Sequence, residues 1–336
     1  HVRGEGFMKF VTLGSSGLRV STICIGGNSW GANGRRDWAA FDKSDSAPFF
    51  RHALDNGINF FDTADAYNLG KSEQIIGETL MGYASRESIV LSTKVGLKMG
   101  DGANQGGLSR KHIMESIDQQ LKRLNTEYID LYQIHRLDNR TPLEEILDTL
   151  TDIKKAGKIL YIGGSTMPAY KFAQLITLAE CKGYIRPISM QNLYNLIQRD
   201  EERDMIPLCI EAGVGLIPYS PLARGVLAGN RSAGGIGETE RAKYDKGLLT
   251  GASLFRDSDK QVVTNVIAVA EKYNIKPTQV ALSWILNKSA VVSPIIGATK
   301  LSHISDAVSS IDIELSSEDI KKLESAYQPR VAEPNI

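Results

Sequence analysis

Four side chains in this sequence are of the types needed to move a proton onto a carbonyl oxygen. Asp62 and Tyr67 frame DTADAY (62–67), Lys94 closes IVLSTK (89–94), and His135 follows IDLYQI (129–134). A free tyrosine, with a pKa near ~10, holds its proton too tightly to be an efficient acid at neutral pH. A neighbouring ammonium stabilises the phenolate, and a carboxylate beside the ammonium keeps it charged and in place. Tyr67, Lys94 and Asp62 supply those three groups, and His135 adds a hydrogen bond that can orient a carbonyl. Each residue alone has an ordinary explanation. Asp62 suits a helix N-cap, Lys94 a solvated strand end, and His135 a structural histidine. The set gains meaning only if the fold gathers it.

The elements around these residues supply a means of gathering them. Eight short β-rich runs alternate with helical patterns: 21–26, 59–62, 89–94, 129–134, 159–164, 188–192, 214–219 and 291–296. Most are continuously apolar, as strands covered on both faces of a parallel sheet are. Between them lie amphipathic segments with boundary signals. Ser109 precedes RKHIMESIDQQLKRL, Pro142 opens PLEEILDTLTDIKKAGK before Gly157, and Gly213 ends EERDMIPLCIEAG. Eight strand–helix units favour a (β/α)₈ TIM barrel over a doubly wound sheet. The segment FVTLGSSGLRV (10–20) reads as a β-hairpin ahead of the first strand. Residues 276–288 and 316–327 read as helices outside the eightfold count. The stretch 222–257 lacks periodicity and reads as a long functional loop that folds over a ligand. A barrel places its site at the C-terminal ends of its strands, where Asp62, Lys94 and His135 fall.

Bulk composition excludes several classes. Lysine plus arginine (39) balances aspartate plus glutamate (39), so no net field favours nucleic acid or an anionic membrane. No apolar run approaches the roughly 20 residues that span a bilayer. Cys24, Cys181 and Cys209 are too few and scattered for a disulfide framework or zinc motif, and their apolar surroundings read as reduced core thiols in a cytoplasmic protein. Residues 1–8 read as an appended or disordered N-terminus, and 9–330 as a single barrel domain. A Gly-x-Gly-x-x-Gly near the start, a His-x-His pair, a Gly-x-Ser-x-Gly elbow and a P-loop are all missing, which argues against Rossmann, metallohydrolase and serine-hydrolase chemistry.

GINFFDTADAY (57–67), STKVG (92–96), YIDLYQIHR (128–136), YIGGS (161–165), QNLYN (191–195) and YSPLARGVL (219–227) resemble the signature blocks of the aldo-keto reductase superfamily in order and spacing, over roughly residues 9–328. LSRKHIMESID and SMQNLYNLIQRDEERDMIPLC further resemble a bacterial branch near the aryl-alcohol dehydrogenases. The resemblance implies NADP(H)-dependent reduction of aldehydes or ketones, with NAD(H) as the weaker cofactor. It implies that Tyr67 is the proton donor, assisted by Lys94 and Asp62, and that His135 orients the carbonyl. By the same likeness Ser165 and Gln191 hold the nicotinamide carboxamide, Tyr219 stacks on its ring, and Ser220, Leu222, Arg224, Gly225 and Leu227 line the pyrophosphate. PIIGATK (294–300) falls where the family contacts the adenosine 2′-phosphate, with Gly297, Thr299, Lys300 and His303 as the contacts. This chain has Lys300 where an arginine is commoner, and Ala307 at a later adenine-contact position.

Trp30, after the first strand, is expected on the wall of a pocket for a small-molecule carbonyl substrate, with Arg136 and Asp138 pairing or shaping its entrance. Aryl, small or sugar-derived aldehydes and anionic substrates all suit such a lining. A redox sensor of the same fold, like channel-associated β subunits, is the competing expectation, and a short lead-in before the barrel favours the enzyme.

Overall fold

The computed structural model describes residues 8–31, 42–229 and 256–330. Two strands come first, β1 (Phe10–Thr12) and β2 (Arg19–Ser21), paired antiparallel with Val11 opposite Val20. Eight parallel strands follow: β3 (Cys24–Gly26), β4 (Phe60–Asp62), β5 (Val90–Val95), β6 (Ile129–Ile134), β7 (Ile159–Ser165), β8 (Pro187–Gln191), β9 (Gly215–Leu216) and β10 (Ile295–Ile296). They pair in chain order from β3 to β9, and β10 pairs with β3. Parallel bridges from Leu216 to Val291 and from Tyr219 to Ile295 join the two ends of the sheet into a barrel.

Helices clothe the barrel: α1 (Lys43–Asp55), α2 (Lys71–Thr79), α3 (Arg110–Leu124), α4 (Leu143–Lys155), α5 (Ala169–Lys182), α6 (Met205–Ala212), α7 (Lys260–Tyr273), α8 (Pro277–Leu286), α9 (Leu301–Ser309) and α10 (Ser317–Glu324), of which α3, α4, α6, α8 and α10 fall on the segments expected to be helical. Ser109 caps α3 by accepting the His112 N–H, and Gly213 ends α6 in a left-handed conformation. The expectation for 276–288 needs correction. Leu282 of α8 packs into the main apolar layer around the barrel, so α8 is the crossover helix between β9 and β10. The additional helices are α7 and α10, which join α8 in a second apolar cluster built on Val266, Trp284 and Leu323. Of the loop expected over 222–257, the described flanks are short 3₁₀ turns at Ala223–Ala228 and Asp257–Asp259, and residues 230–255 lie outside the described set, as do 1–7. Cys24 and Cys209 are buried as expected, whereas Cys181 is exposed on the outer face of α5. Among the described residues no helix is long and apolar enough to cross a membrane.

The barrel interior divides into an apolar floor and a polar ceiling. The floor is made by Cys24, Phe60, Val90, Leu131, Ile188, Ile217 and Ile295, and the hairpin seals it from below with fully buried Leu13 and Val20. The hairpin turn is clamped where the Ser15 N–H donates to Gly213 O at 2.7 Å. Gly14 sits there at φ +58°, and a Cβ on it would meet Ile188 O at 2.5 Å, so the turn needs glycine. Leu13→Ala should therefore cost about 2–5 kcal/mol of unfolding free energy, the usual range for a buried leucine that leaves a cavity. Urea denaturation with an unchanged m-value measures this, and a loss below about 1 kcal/mol would mean the plug is dispensable.

Candidate active site

The polar ceiling follows from strand register. Asp62 pairs with Ser92 across β4–β5, and Lys94 with Gln133 across β5–β6, so side chains one layer above the apolar floor point inward together. Gly163 on β7 leaves room for them, because a Cβ there would meet Ser189 Oγ at 2.2 Å and Gln133 Cγ at 3.4 Å.

Lys94 is the centre of this layer, with no exposed surface. Its ammonium donates to Asp62 Oδ2 at 2.5 Å, to Thr63 O at 2.7 Å and to the Tyr67 hydroxyl at 3.3 Å. Burial by itself would depress the ammonium's pKa, but the charges and hydrogen bonds of Asp62 and Tyr67 outweigh it and leave the pKa above its usual value. Asp62 is held in turn. Its Oδ1 accepts from Ser92 Oγ at 2.9 Å, Gln133 Nε2 at 2.9 Å and Gln191 Nε2 at 3.2 Å. The Tyr67 and His135 rings meet edge to face, with centroids 5.7 Å apart at 82°. All four expected residues thus converge on one point at the C-terminal end of the barrel.

A second network outside the barrel wall fixes the backbone of Lys94. Gln120 of α3 donates to Lys94 O at 3.0 Å and to Glu73 Oε1 at 2.8 Å. Fully buried Glu73 also accepts from Thr93 Oγ1 at 2.6 Å and Arg123 Nε at 2.7 Å. Nearby, burial first and the charge of Glu73 second push the Asp65 carboxyl well above the usual carboxylate range. Sequence reasoning missed Ser92, Gln133, Gln120 and Glu73. Ser92 was within reach of it, since it shares the Lys94 face of β5 two residues away; the other three come from separate elements.

The remaining expected residues form the rim. Ser165, at the end of β7, is buried and accepts from Arg136 Nη1 at 3.3 Å. Gln191 ends β8 and also donates to Gln133 Oε1 at 3.3 Å. Tyr219 is half-buried beyond β9, and its hydroxyl accepts from Thr166 Oγ1 at 3.4 Å. From Ser220 to Gly225 the backbone turns left-handed at Ser220, Ala223, Arg224 and Gly225, with φ of 52°, 48°, 55° and 94°. Leu222 is half-buried, but Leu227 is fully buried in the second apolar cluster and does not line the surface of the bend. Gly297, Thr299 and Lys300 are exposed in the turn from β10 into α9, on the strand neighbouring Tyr219. The Thr299 N–H donates to His303 Nδ1 at 3.3 Å, and partial desolvation, then the Lys300 charge, hold the His303 pKa below its usual value.

At the entrance Arg136 and Asp138 both line a cleft beside the site, but a Trp30 wall and an Arg136–Asp138 pair are not found among the described residues. The Trp30 indole is 1% exposed and packs against Phe50 of α1 at 4.4 Å, in the apolar layer and not on an open wall. Only its carbonyl reaches the site loop, accepting from Asn68 Nδ2 at 2.8 Å. Arg136 and Asp138 do not pair. Arg136 Nη1 donates to His135 O at 2.7 Å, whereas Asp138 accepts the backbone N–H groups of Leu108, Arg140 and Thr141. Burial alone would raise the Asp138 pKa, but those N–H groups outweigh it and hold it below the usual value.

The Lys94–Asp62 pair makes a pH-dependent prediction. Asp62→Asn leaves a buried ammonium without its counter-charge, which should cost about 3–5 kcal/mol at neutral pH. Wild-type Lys94, with its raised pKa, contributes stability below the unfolded lysine value of about 10.4 that fades as pH rises beyond it. In Asp62→Asn burial dominates and depresses that pKa, so stability should climb as pH is raised from 7 toward 10. Chemical denaturation across this range reads the two slopes, and parallel slopes would mean the pair is not coupled.

The chain matches the Aldo/keto reductase family model over residues 22–328. It is 39% identical to versiconal hemiacetal acetate reductase of Aspergillus parasiticus, covering 97% of this chain and 99% of that protein. A Schizosaccharomyces pombe protein provisionally named an aryl-alcohol dehydrogenase is 41% identical, with 94% of this chain and 95% of that one covered. A Saccharomyces cerevisiae protein with the same kind of provisional name is 38% identical over 96% of this chain and 98% of its own. These relatives are fungal and lend no support to a bacterial placement. A family model spanning nearly the whole barrel, and full-length relatives at this identity, place the chain in the aldo/keto reductase family of oxidoreductases.

Proposed function

We propose that this protein reduces aldehydes or ketones to alcohols with a reduced nicotinamide cofactor, and that Tyr67 is its general acid. The observation that carries this reading is the fully buried Lys94 ammonium, gripped by Asp62 and held against the Tyr67 hydroxyl. Because the phenol oxygen accepts from Lys94, its own O–H is directed away from the ammonium, toward an incoming carbonyl. The ammonium also stabilises the phenolate left after proton transfer, in a site where little water screens the interaction. His135, edge-on to Tyr67, orients the same carbonyl oxygen. The names of the relatives, a reductase and aryl-alcohol dehydrogenases, support a carbonyl–alcohol pair and an aryl carbonyl compound as substrate.

The residues present fit a dinucleotide. Ser165 and Gln191 offer a hydroxyl and an amide at adjoining strand ends, suited to a carboxamide, and the half-buried Tyr219 ring is suited to stacking on a nicotinamide. The left-handed run at 220–225 makes a concave backbone of the kind that receives phosphate, and Lys300 with Thr299 stands at the uncapped N-terminus of α9, suited to a 2′-phosphate. When bound, the cofactor supplies the hydride.

Tyr67→Phe should lower kcat by ~10²–10⁴ while leaving the NADPH Kd nearly unchanged, the usual cost of removing a general acid. Steady-state turnover of 4-nitrobenzaldehyde with fluorescence titration of NADPH tests both halves. Near-normal turnover in the variant removes Tyr67 from the role, and absent turnover in the wild type removes the reading itself.

We further propose that the enzyme prefers NADP(H) to NAD(H) because Lys300 meets the 2′-phosphate. A charge-assisted hydrogen bond is worth roughly 1.5–3 kcal/mol, and an ammonium without a bidentate fork belongs in the lower half of that range. Lys300→Ala should therefore reduce the ratio of NADH to NADPH dissociation constants by about 10-fold. An unchanged ratio in paired titrations shows that Lys300 is a solvated surface lysine.

A further inference from the structure

Beside the site, between the β6–α4 and β7–α5 connections, lies a cleft of about 370 Å³. Its lining carries three cations, Arg136, Arg140 and Lys171, against one carboxylate, Asp138. Asp138 is already occupied, because its oxygens accept three backbone N–H groups and the Thr141 hydroxyl. Among the described residues none of the three cations has a carboxylate within 4 Å: the Arg136 guanidinium reaches only His135 O and Ser165 Oγ, and Lys171 lies 5.5 Å from the centre of the exposed Tyr170 ring. The acidic residues in the first turn of α4 are engaged elsewhere, Glu144 by Lys182 and Glu145 by the Arg110 N–H.

The placement of these charges is electrostatically unfavourable by itself. Lys171 stands in the first turn of α5, where the helix dipole disfavours a cation, and that turn has neither an acidic residue nor a side-chain cap. Like charges around a shared cleft add to the cost. A bound anion reverses both effects, since it meets three cations and the uncapped starts of α4 and α5, which also border the cleft through Pro142, Leu143 and Pro168. The cleft also adjoins the reacting centre, because Arg136 directly follows His135 and touches Ser165.

We propose that this cleft binds the carboxylate of an anionic carbonyl substrate while its carbonyl lies at Tyr67 and His135. This assignment rests on the carbonyl-reductase reading, which it narrows to carboxylate-bearing aldehydes or ketones. Arg140 and Lys171 give the charge selectivity, and Arg136 links the cleft to the site. The exposed Tyr170 ring offers apolar surface between the two ends.

The test is the Arg140→Gln/Lys171→Gln double variant, which alters no residue assigned to the proton-transfer or cofactor groups. For 4-carboxybenzaldehyde relative to benzaldehyde, kcat/KM should fall about 10- to 100-fold, the loss of one or two charge-assisted hydrogen bonds, with benzaldehyde turnover as in the wild type. An equal effect on both aldehydes, or none, overturns the proposal. Calorimetric titration of 4-carboxybenzyl alcohol against benzyl alcohol reads the cleft without turnover. The wild type should favour the carboxylate, the preference should shrink with salt, and the variant should lose it. Carboxylate preference without turnover in the wild type sinks the reductase reading and leaves the cleft assignment standing. Turnover without that preference does the reverse. A variant that weakens NADPH and keeps the carboxylate preference shows that the cleft holds a cofactor phosphate.

Discussion

The buried ammonium of Lys94 governs how the upper half of the barrel is built. Moving an ammonium out of water carries an effective penalty of several kcal/mol, which only close, well-oriented partners offset. Each partner makes its own demand. Asp62 needs donors for its second oxygen, which Ser92, Gln133 and Gln191 provide from three further strands. Gln133 needs the space that Gly163 leaves open. The Lys94 main chain needs α3 seated so that Gln120 reaches its carbonyl, and that seat is fastened by Glu73 and Arg123. A single charge thus organises side chains from β4, β5, β6 and β8 and from two helices.

The apolar lower half makes this arrangement affordable. Seven interior side chains and the Leu13–Val20 plug exclude water from below, so the polar layer lies on a dry floor and its hydrogen bonds act in a low dielectric. Stability and chemistry are separated along the barrel axis, as in other barrels that keep reactivity at the strands' C-terminal ends. The second apolar cluster, under α7, α8 and α10, braces the strand-end segment carrying Tyr219 and the 220–225 bend, since Ala223, Val226 and Leu227 are buried within it.

Backbone strain follows the same division. Asn68, Leu69, Thr166, Ser220, Ala223 and Arg224 all have positive φ, and each lies in a loop at the C-terminal mouth. A non-glycine residue in that region costs of order 1–3 kcal/mol and persists only where its surroundings over-determine it. The positive-φ asparagines at the ends of α3 and α7 are ordinary helix caps and lie elsewhere. Asn68 shows how the strain is held, because its side chain donates to Trp30 O and ties the Tyr67 turn to the loop after β3. The basic cleft at the same mouth is an electrostatic counterpart, charge placed where the helix dipoles oppose it.

The sequence by itself determined the eight strands, the hairpin and the grouping of Asp62, Tyr67 and His135 with Lys94, because these depend on local information. Continuous apolar runs mark doubly covered strands, turn residues mark the hairpin, and strand-end positions place Asp62, Lys94 and His135 on one face of any parallel barrel. The closeness of Tyr67 to Lys94 was legible too, because five residues of loop hold it near the end of β4. Tertiary structure alone decided what depends on distant partners. Which helix spans the last crossover was settled by Leu282 reaching the main core, a contact that periodicity does not encode. Trp30 turned into the apolar layer because Phe50 of α1 meets it there, and Asp138 was taken by backbone donors 3 and 30 residues away in place of the adjacent-looking Arg136. Gln133, Gln120 and Glu73 carried no signal, since an amide or carboxylate in an apolar run is informative only once register and helix seating show which charge it faces. Periodicity is a property of one element, whereas the neutralisation of a buried charge is a property of all the elements that surround it.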